Sequence, residues 1–179
     1  MSLTSSLEHI DCLTYGGGDW KLGWTLGARG SEKEVAKQGK QYRANLMSSL
    51  PALSKLTSAI KKKLKTNGSY IRGIAGHPLY CRSPHSSLNT LLQSAGAQVA
   101  KVWYVCFHEA MEDIGYVYGE DYETYGFFHD EIQVGSRPEI ADAVGEILCQ
   151  QAEKAGEVLG FRLPTEAEYK IGFNWADTH

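Results

Sequence analysis

The stretch Phe127 to Gly135, FFHDEIQVG, places two adjacent carboxylates between two apolar runs. Residues Thr124 to His129 and Ile132 to Gly135 are rich in aromatic and β-branched side chains, which are typical of strands. A tight turn is therefore predicted at Asp130-Glu131, with both acids at the tip of a hairpin. Because neighbouring strand residues point to opposite faces, one acid is expected to dominate any chemistry. The alternative is a solvated turn, in which Asp is a common residue.

The composition is that of a protein with a real hydrophobic core. The chain has 179 residues, 42% of them hydrophobic, which is enough for one domain or for one domain with an appended helical lobe. Its four cysteines form no C-x-x-C pair, which fits a reducing cytoplasm. The most apolar window, Val99 to Phe107, is far shorter than the roughly 20 residues of a membrane span. No signal peptide is recognised, and the sequence predicts a cytoplasmic protein without a membrane partner.

Acidic and basic residues are segregated along the chain. Residues 1–101 hold 14 Lys and Arg against 5 Asp and Glu, a net charge of +9, whereas residues 102–179 hold 4 against 16, a net charge of −12. This asymmetry predicts a polyanionic partner for the first half, and metal cations or a solvated surface for the second. The alternative is that the helices of the two halves are simply solvated, and that they differ in the sign of their charge without binding a polyanion or a metal.

Capping residues, apolar periodicity and turn residues predict the other elements. They are a helix from Asp19, which is placed to cap it, to about Leu26, a helix from Ser31 to about Ser49, a helix from Pro51 to Asn67, a hairpin of Tyr70 to Gly73 with Leu79 to Arg82, a helix from Ser83 to about Glu112, a helix from Pro138 to about Gly160, and a closing strand from Glu166 to Gly172. The layout predicts an α+β fold, with a helical lobe followed by an antiparallel sheet and packed helices.

Three groups of polar residues on these helices are candidates for ligand contacts. The helix after Pro51 has a lysine face that is either solvated or contacts phosphates. The long helix carries Asn89 and Gln93, whose amides share one face and must find partners in the protein or in a ligand. His108-Glu109 begins like a zinc-protease helix, but Glu112 stands where the second His is needed, so a solvated face is predicted. The lysines are Lys55, Lys61, Lys62, Lys63 and Lys65.

Four motifs, in order, resemble the C-terminal part of a family A DNA polymerase, in the branch of the short-tailed bacteriophages. They are LTYGGGDWKLG (13–23), similar to the end of the fingers helix, RSPHSSLNTLLQSAGAQVAKVW (82–103), similar to the long palm helix, HDEIQVG (129–135), similar to the hairpin called motif C, and the terminal GFNWADTH (172–179). The resemblance covers residues 12–179. It implies partial fingers over residues 12–68 and a partial palm over residues 69–179, after a non-matching leader of residues 1–11.

The resemblance also implies an activity and a set of site residues. The activity is two-metal nucleotidyl transfer from deoxynucleoside triphosphates onto primer-template DNA, in which Asp130 bridges two Mg²⁺ ions and Glu131 plays a lesser supporting role. His129 is implied to reach the minor groove at the primer terminus, where every base pair offers an acceptor at a similar place. The other implied DNA contacts are Asn89, Gln93, Arg82, Tyr15 and Gly16, and Lys61, Lys62, Lys63 and Lys65 are candidate phosphate contacts.

The family pattern breaks off near the start of the chain. The positions that grip the triphosphate in the family hold Leu3, Leu7 and Asp11, and the motif A aspartate has no counterpart. The sequence therefore predicts a polymerase fragment that is inactive alone and needs the missing N-terminal polymerase part. It also predicts an interruption just before Cys12, such as an intron, an intein or a split gene. The palm edge left open is predicted to be covered, and a homodimer through that edge is one expected outcome.

Three other functions remain open at this point. The chain could be a non-catalytic module that binds primer-template DNA, or an inactive relic of a polymerase. It could also be a metal-dependent nuclease built around Asp130 and Glu131. The nuclease needs further carboxylates at the hairpin, and the nearest in sequence are Asp113, Glu120 and Asp121.

Overall fold

A computed structural model describes residues 17–178, so the predictions for the leader and for Leu3, Leu7, Asp11, Tyr15, Gly16 and His179 lie outside the described residues. Its elements in chain order are α1 (Asp19–Thr25), α2 (Glu32–Ser49), α3 (Pro51–Thr66), β1 (Tyr70–Arg72), β2 (Pro78–Tyr80), α4 (Ser87–Ile114), β3 (Tyr122–Phe128), β4 (Glu131–Ser136), a 3₁₀ turn (Pro138–Ile140), α5 (Ala141–Val158) and α6 (Trp175–Thr178). The predicted helices and both hairpins are present, and the α+β class is confirmed.

The described chain divides into two compact units. The first ends at Ser94 and the second begins at Ala95, so the 28-residue helix α4 contributes to both. Each unit contains one antiparallel two-stranded ribbon, β1 with β2 in the first and β3 with β4 in the second. Within residues 17–178 no helix is both long and apolar enough to cross a membrane. The division at residue 68 that the polymerase motifs imply remains a prediction.

Two glycines let α1 and α2 cross at very short range in the first unit. A Cβ on Gly39 would lie 1.8 Å from the backbone oxygen of Asp19, and a Cβ on Gly23 would lie 2.2 Å from that of Val35. These distances are far below any van der Waals contact, so larger residues would force the helices apart. Val35 is fully buried in the contact region, as is Leu22. The helix pair is therefore tightly packed.

Arg43 fastens the beginning of α1 to α2. Its Nε donates to Asp19 Oδ1 at 2.7 Å, and its Nη2 donates to the Gly17 carbonyl at 2.5 Å. Asp19 is therefore the first helical residue and an ion-pair partner. The prediction that Asp19 caps this helix is wrong, because the N-cap is Gly18 and no side chain caps the helix.

The capping box predicted for α2 is confirmed. Ser31 Oγ accepts from the Glu34 amide, and the Glu34 carboxylate accepts from the Ser31 amide at 2.9 Å. The Ser31 hydroxyl also donates to the Glu34 carboxylate at 2.7 Å, and this bond, together with the one from the Ser31 amide, lowers the pKa of Glu34. These bonds fix the point at which α2 begins, and with it the crossing with α1.

The core of the first unit lies between α3, the β1–β2 ribbon and the start of α4. Its buried members are Ile60, Leu64, Ile71, Cys81 and Leu88. Ile60 and Leu64 of α3 belong to it, and Leu53 packs against it. Leu56 of the same helix remains 39% exposed.

The core of the second unit joins α4, β3 and α5. Phe107 and Met111 on α4 are fully buried, and they pack with Tyr122 of β3 and with Val144 and Ile147 of α5. The aromatic rings of Phe107 and Tyr122 meet edge to face, with centroids 5.6 Å apart. This cluster fixes the first residue of the strand that leads to the HDE sequence.

The closing strand predicted from Glu166 to Gly172 is wrong. The segment has no regular secondary structure, and no strand pairs with it within the described residues. Thr165 Oγ1 donates to the Ala152 carbonyl of α5, and the Tyr169 ring lies where a Cβ on Gly145 would be. Side chains of this region therefore pack against α5. A β-strand also needs a neighbouring strand to pair with its backbone groups, and this segment has none among the described residues.

Candidate active site

The HDE sequence forms the predicted hairpin tip, but the turn lies one residue earlier than predicted. Phe128 pairs with Glu131, so the two-residue turn is His129-Asp130 and Glu131 begins β4. His129 has a φ of 57°, in the left-handed region that His adopts more readily than most residues. The prediction placed His129 in a strand and Glu131 in the turn. A positive φ at His129 closes the loop before Glu131, and sequence patterns do not show this.

The two carboxylates of the tip have different surroundings. Asp130 is exposed in the turn, whereas Glu131 is half-buried on β4. Gln133, two residues further along the same strand face, donates its side-chain amide to Glu131 Oε1. Asp130 is therefore the carboxylate that a solvated cation or a phosphate-bound metal could reach directly. This difference in exposure agrees with the expectation that one of the two acids dominates any chemistry.

Aromatic rings support the strands behind the tip. Tyr125 is an extra residue in β3, opposite the step from Val134 to Gln133, and its ring occupies the position that a Cβ on Gly135 would take. The ring of Phe128, next to the turn, packs against that of Trp175 of α6 at an interplanar angle of 41°, with centroids 4.8 Å apart. The terminal motif therefore contacts the hairpin, a placement that sequence reasoning did not assign to Trp175.

His108 on α4 belongs to an aromatic cluster, so the solvated face predicted for it is wrong. Its Nδ1 lies 2.9 Å from Tyr122 Oη, and its Nε2 lies 3.4 Å from Thr124 Oγ1. The rings of Tyr104 and Tyr118 also contact it, with centroids at 4.4 and 5.4 Å. His108 lies one helical turn from Tyr104 and faces β3, so this titratable side chain joins α4 to the β3–β4 hairpin.

This cluster predicts a pH dependence of stability. Burial lowers the pKa of His108 below its ordinary value of 6.5, against an opposing effect of Glu112. As pH falls through 6.5, the unfolded chain takes up this proton before the folded chain does, so the free energy of unfolding should fall. Above 6.5 this contribution is constant. Urea unfolding at pH 7.5 and 5.5 should show a smaller pH effect in His108→Gln than in the wild type.

The matched control for this prediction is His85→Gln, since His85 is exposed in the first unit. That variant should keep the wild-type difference between the two pH values. Equal pH effects in the wild type and in His108→Gln would show that the His108 cluster does not couple protonation to folding.

The predicted DNA contacts in the first unit lie on accessible surface. Gln93 and Arg82 are exposed, and Asn89 is half-buried on the same α4 face as Gln93. The four lysines proposed as phosphate contacts, Lys61, Lys62, Lys63 and Lys65, are all exposed on α3. Two of them, Lys63 and Lys65, are in the last helical turn, where they also stabilise the helix dipole.

The described residues bring no further acids to the hairpin. Across residues 17–178, no three His, Cys, Asp or Glu side chains come together in a way that could hold a metal ion. Asp121, one of the acids that a nuclease would need, instead accepts from the Val117 amide at 2.8 Å and pairs with Arg137 at 3.3 Å. The described geometry therefore gives the nuclease hypothesis no support.

The cysteines in the described range are buried, as Cys81 is, or half-buried, as Cys106 and Cys149 are. Cys81, Cys106 and Cys149 are free thiols, as their spacing predicts. Burial is the main cause that raises the pKa of all three thiols, so they are protonated near neutral pH. None of these three has the features of a nucleophile or a metal ligand.

Comparison with curated proteins finds relatives among the phage DNA polymerases. The chain is 35% identical to the DNA-directed DNA polymerase of Enterobacteria phage T3 and, equally, to that of Escherichia phage T7, in each case over 92% of this chain and 25% of the relative. It is 26% identical to DNA polymerase I of Aquifex aeolicus over 78% of this chain and 24% of that protein. The chain thus spans about a quarter of the length of these relatives. No protein-family model matches it.

Comparison with solved structures supports the fold. The POL domain of Pol1 from M. smegmatis, in complex with DNA primer-template and dNTP, superposes with a TM-score of 0.65. The superposition covers 85% of this chain and 27% of that chain, at 16% sequence identity. The described chain therefore has the fold of part of a polymerase domain.

Proposed function

We propose that this chain, a relative of the family A DNA polymerases over about a quarter of their length, supplies the motif C part of a DNA-directed DNA polymerase. The observation that carries the proposal is the 35% identity to two phage polymerases across 92% of the chain. The exposed position of Asp130 at a hairpin tip agrees with it, because a metal-binding carboxylate must be reachable by a substrate phosphate.

In this proposal each residue of the tip has one task. The oxygens of Asp130, assisted by Glu131, fit Mg²⁺, which prefers hard oxygen ligands and which, when bound, stabilises charge on the reacting phosphate. Gln133 holds the Glu131 carboxylate in place. The exposed ring of His129 donates a hydrogen bond to the minor-groove edge of the primer-terminal pair, which tests pair geometry without reading sequence.

Two carboxylates do not complete a two-metal site. Such a site binds both ions through several carboxylate oxygens, and within residues 17–178 no third acid joins Asp130 and Glu131. We therefore propose that another polypeptide segment contributes the missing metal ligand and the groups that grip the triphosphate. Primer extension would then require this chain together with that segment.

Primer extension tests this proposal in two forms. In the first, the purified chain is incubated with primer-template DNA, deoxynucleoside triphosphates and Mg²⁺, and we expect no extension. In the second, this chain replaces the matching quarter of the phage T7 polymerase, and we expect template-dependent extension by the chimera. Extension by the chain alone would overturn the need for a second segment. A folded chimera that binds primer-template but does not extend it would overturn the catalytic role.

The basic helix α3 favours a second candidate, a module that binds primer-template DNA without catalysing synthesis. Both functions predict DNA binding, and only the first predicts an active chimera. The outer edges of the β3–β4 ribbon also allow the homodimer proposed from sequence, and sedimentation of the chain with and without DNA tests it.

The lysines of α3 should set the salt dependence of DNA binding. Lys61, Lys62, Lys63 and Lys65 are exposed, and each phosphate that a cation neutralises contributes about 0.9 to the slope of log affinity against log salt. Changing all four to Ala should therefore lower the slope by up to about 3.6. The measurement is the affinity for a short DNA duplex at several salt concentrations.

The control removes the same charge from the second unit. Lys101, Lys154, Arg162 and Lys170 are all exposed, and their joint replacement by Ala should leave the slope nearly unchanged. If the α3 variant and this control change the slope equally, net charge explains the effect and α3 makes no specific phosphate contacts.

A further inference from the structure

The core of the second unit anchors the β3–β4 ribbon at the end that is far from the turn. Tyr122, the first residue of β3, is buried against Phe107, whereas Phe128, the last residue of that strand, is 43% exposed. Six residue steps of about 3.3 Å place the hairpin tip roughly 20 Å from this anchor. Within residues 17–178 no third strand joins the ribbon, and a two-stranded hairpin is marginally stable by itself. The orientation of the tip therefore needs a second support.

The ring of Trp175 supplies this second support. It packs against the Phe128 ring with centroids 4.8 Å apart. The Phe128 ring also lies over Gly126, since a Cβ on Gly126 would be 2.3 Å from a carbon of that ring. Phe128 is thus held between the backbone of the ribbon and Trp175, immediately before the His129-Asp130 turn.

The face of the ribbon that Trp175 contacts also carries Glu131. Phe128 pairs with Glu131 and Gly126 pairs with Gln133, and directly opposite residues of a ribbon have their side chains on the same face. The side-chain amide of Gln133 donates to the Glu131 carboxylate. A displacement of the Phe128 ring would therefore reach both the turn and the second acid of the tip.

The terminal motif fixes the backbone beneath Trp175. The Asp177 carboxylate accepts from the Phe173 amide at 2.9 Å and from the Asn174 side-chain amide at 3.0 Å. A Cβ on Gly172 would lie 2.3 Å from the Asp177 Cβ, so the chain closes tightly around this carboxylate. A functional geometry is held precisely only when the supporting residue is itself held in place. Trp175 meets this condition.

The segment that precedes α6 is fastened to α5. Thr165 Oγ1 donates to a backbone carbonyl of that helix, and the Tyr169 ring lies against Gly145. Helix α5 is itself part of the core cluster that holds the beginning of β3. The hairpin tip is therefore connected to the core of the second unit by two routes, one along β3 and one through α5 and Trp175.

We propose that Trp175 is a positioning residue for the proposed nucleotidyl transfer: acting through Phe128, it holds the hairpin tip so that the carboxylates of Asp130 and Glu131 meet the reacting phosphate together. Trp175 supports the tip from behind and does not touch the substrate in this role. A displacement of about 1 Å in a reacting group can cost about a hundredfold in rate. This inference rests on the proposed function and adds to it a residue outside the hairpin.

The first experiment measures the order of the tip in the full chain by ¹⁵N relaxation. The wild-type amides of His129 and Asp130 should have order parameters of about 0.85, typical of rigid backbone, and those of Trp175→Ala should fall below about 0.6. The amides of α4 and α5 should not change. Trp175→Phe should keep most of the order, because an aromatic ring still packs against Phe128.

The second experiment measures primer extension by the phage T7 chimera. Trp175→Ala should lower kcat by about 10-fold to 100-fold and raise the Mg²⁺ concentration that gives half the maximal rate, with DNA affinity nearly unchanged. A smaller folded fraction would lower the rate without changing the Mg²⁺ dependence. Phe128→Ala should have the same effect. The double variant should be no worse than either single variant, because both substitutions remove one contact.

The matched control is Phe173→Ala, which removes a fully exposed ring two residues before Trp175. The backbone amide that bonds to Asp177 remains in this variant. Its order parameters at the tip and its kcat should therefore equal those of the wild type.

The two experiments separate this role from the proposed function. Unchanged order parameters at the tip of Trp175→Ala, or equal losses in Phe173→Ala, overturn the positioning role and leave the proposed function intact. A disordered tip with an undiminished kcat also overturns the positioning role. A folded wild-type chimera that binds primer-template without extending it overturns the proposed function and, with it, this inference.

Discussion

Asp130→Asn should reduce primer extension by the phage T7 chimera by at least about a thousandfold. The exchange removes one charged oxygen from the exposed turn, and loss of a metal-bridging carboxylate removes several kcal/mol of transition-state stabilisation, with each 1.36 kcal/mol equal to about tenfold in rate. Asn is also common in turns, so the hairpin should persist. Steady-state extension of a labelled primer in Mg²⁺ measures the effect, and DNA affinity of the same variant should be nearly unchanged.

Two variants show whether the effect belongs to Asp130. Asp113→Asn removes an exposed acid of α4 in the same unit and should retain full activity. Glu131→Gln should have a smaller effect than Asp130→Asn, since Glu131 is half-buried and bonded to Gln133. Comparable losses in Asp130→Asn and Asp113→Asn would exclude a specific metal-binding role for the hairpin tip.

The elements that the sequence predicts well are those determined by local chemistry. The Ser31–Glu34 capping box, the proline at the start of α3 and the helical spacing along α4 each involve residues within one or two turns. Such interactions are the same in any tertiary setting, so their sequence signature is direct. The β3–β4 hairpin belongs to this class, because alternating residues around a short loop leave few other pairings.

The errors arise where a distant partner decides the conformation. Residues 166–172 have the alternation of a strand, but Tyr169 and Thr165 find their contacts on α5, at the positions of two glycines. His129 lies in a turn because it accepts a positive φ, which has no periodic signature. His108 is enclosed by Tyr122 and Tyr118, which come from segments after α4. Sequence spacing within one helix cannot show such an enclosure.

The candidate site shows the same division. The exposed Asp130 and the lysines of α3 can be identified from sequence because charge and turn position are local properties. The contact between Phe128 and Trp175 joins two motifs that are separate in the chain, and only the fold brings them together. On α1 the rings of Trp20 and Trp24 stack with centroids 5.7 Å apart. Their four-residue spacing on a helix predicts this contact, but their exposure could not be predicted from sequence.

Phe107→Ala should destabilise the second unit by about 3–5 kcal/mol, the usual cost of removing a large ring from a packed core. Phe107 is fully buried and contacts Tyr122, the first residue of β3, so the cavity lies directly behind the hairpin. Single domains are stable by only about 5–15 kcal/mol, so a large share of the stability would be lost. Urea unfolding, followed by circular dichroism, measures this change.

The matched control is Val105→Ala on the same helix, because Val105 is apolar but 52% exposed. Its effect should stay within about 0.5 kcal/mol, as for most surface substitutions. In the chimera, Phe107→Ala should also lower primer extension by more than Val105→Ala does, because β3 leads directly into the His129-Asp130 turn. Equal destabilisation by the two substitutions would mean that the cluster of Phe107, Met111 and Tyr122 does not hold α4 and the hairpin together.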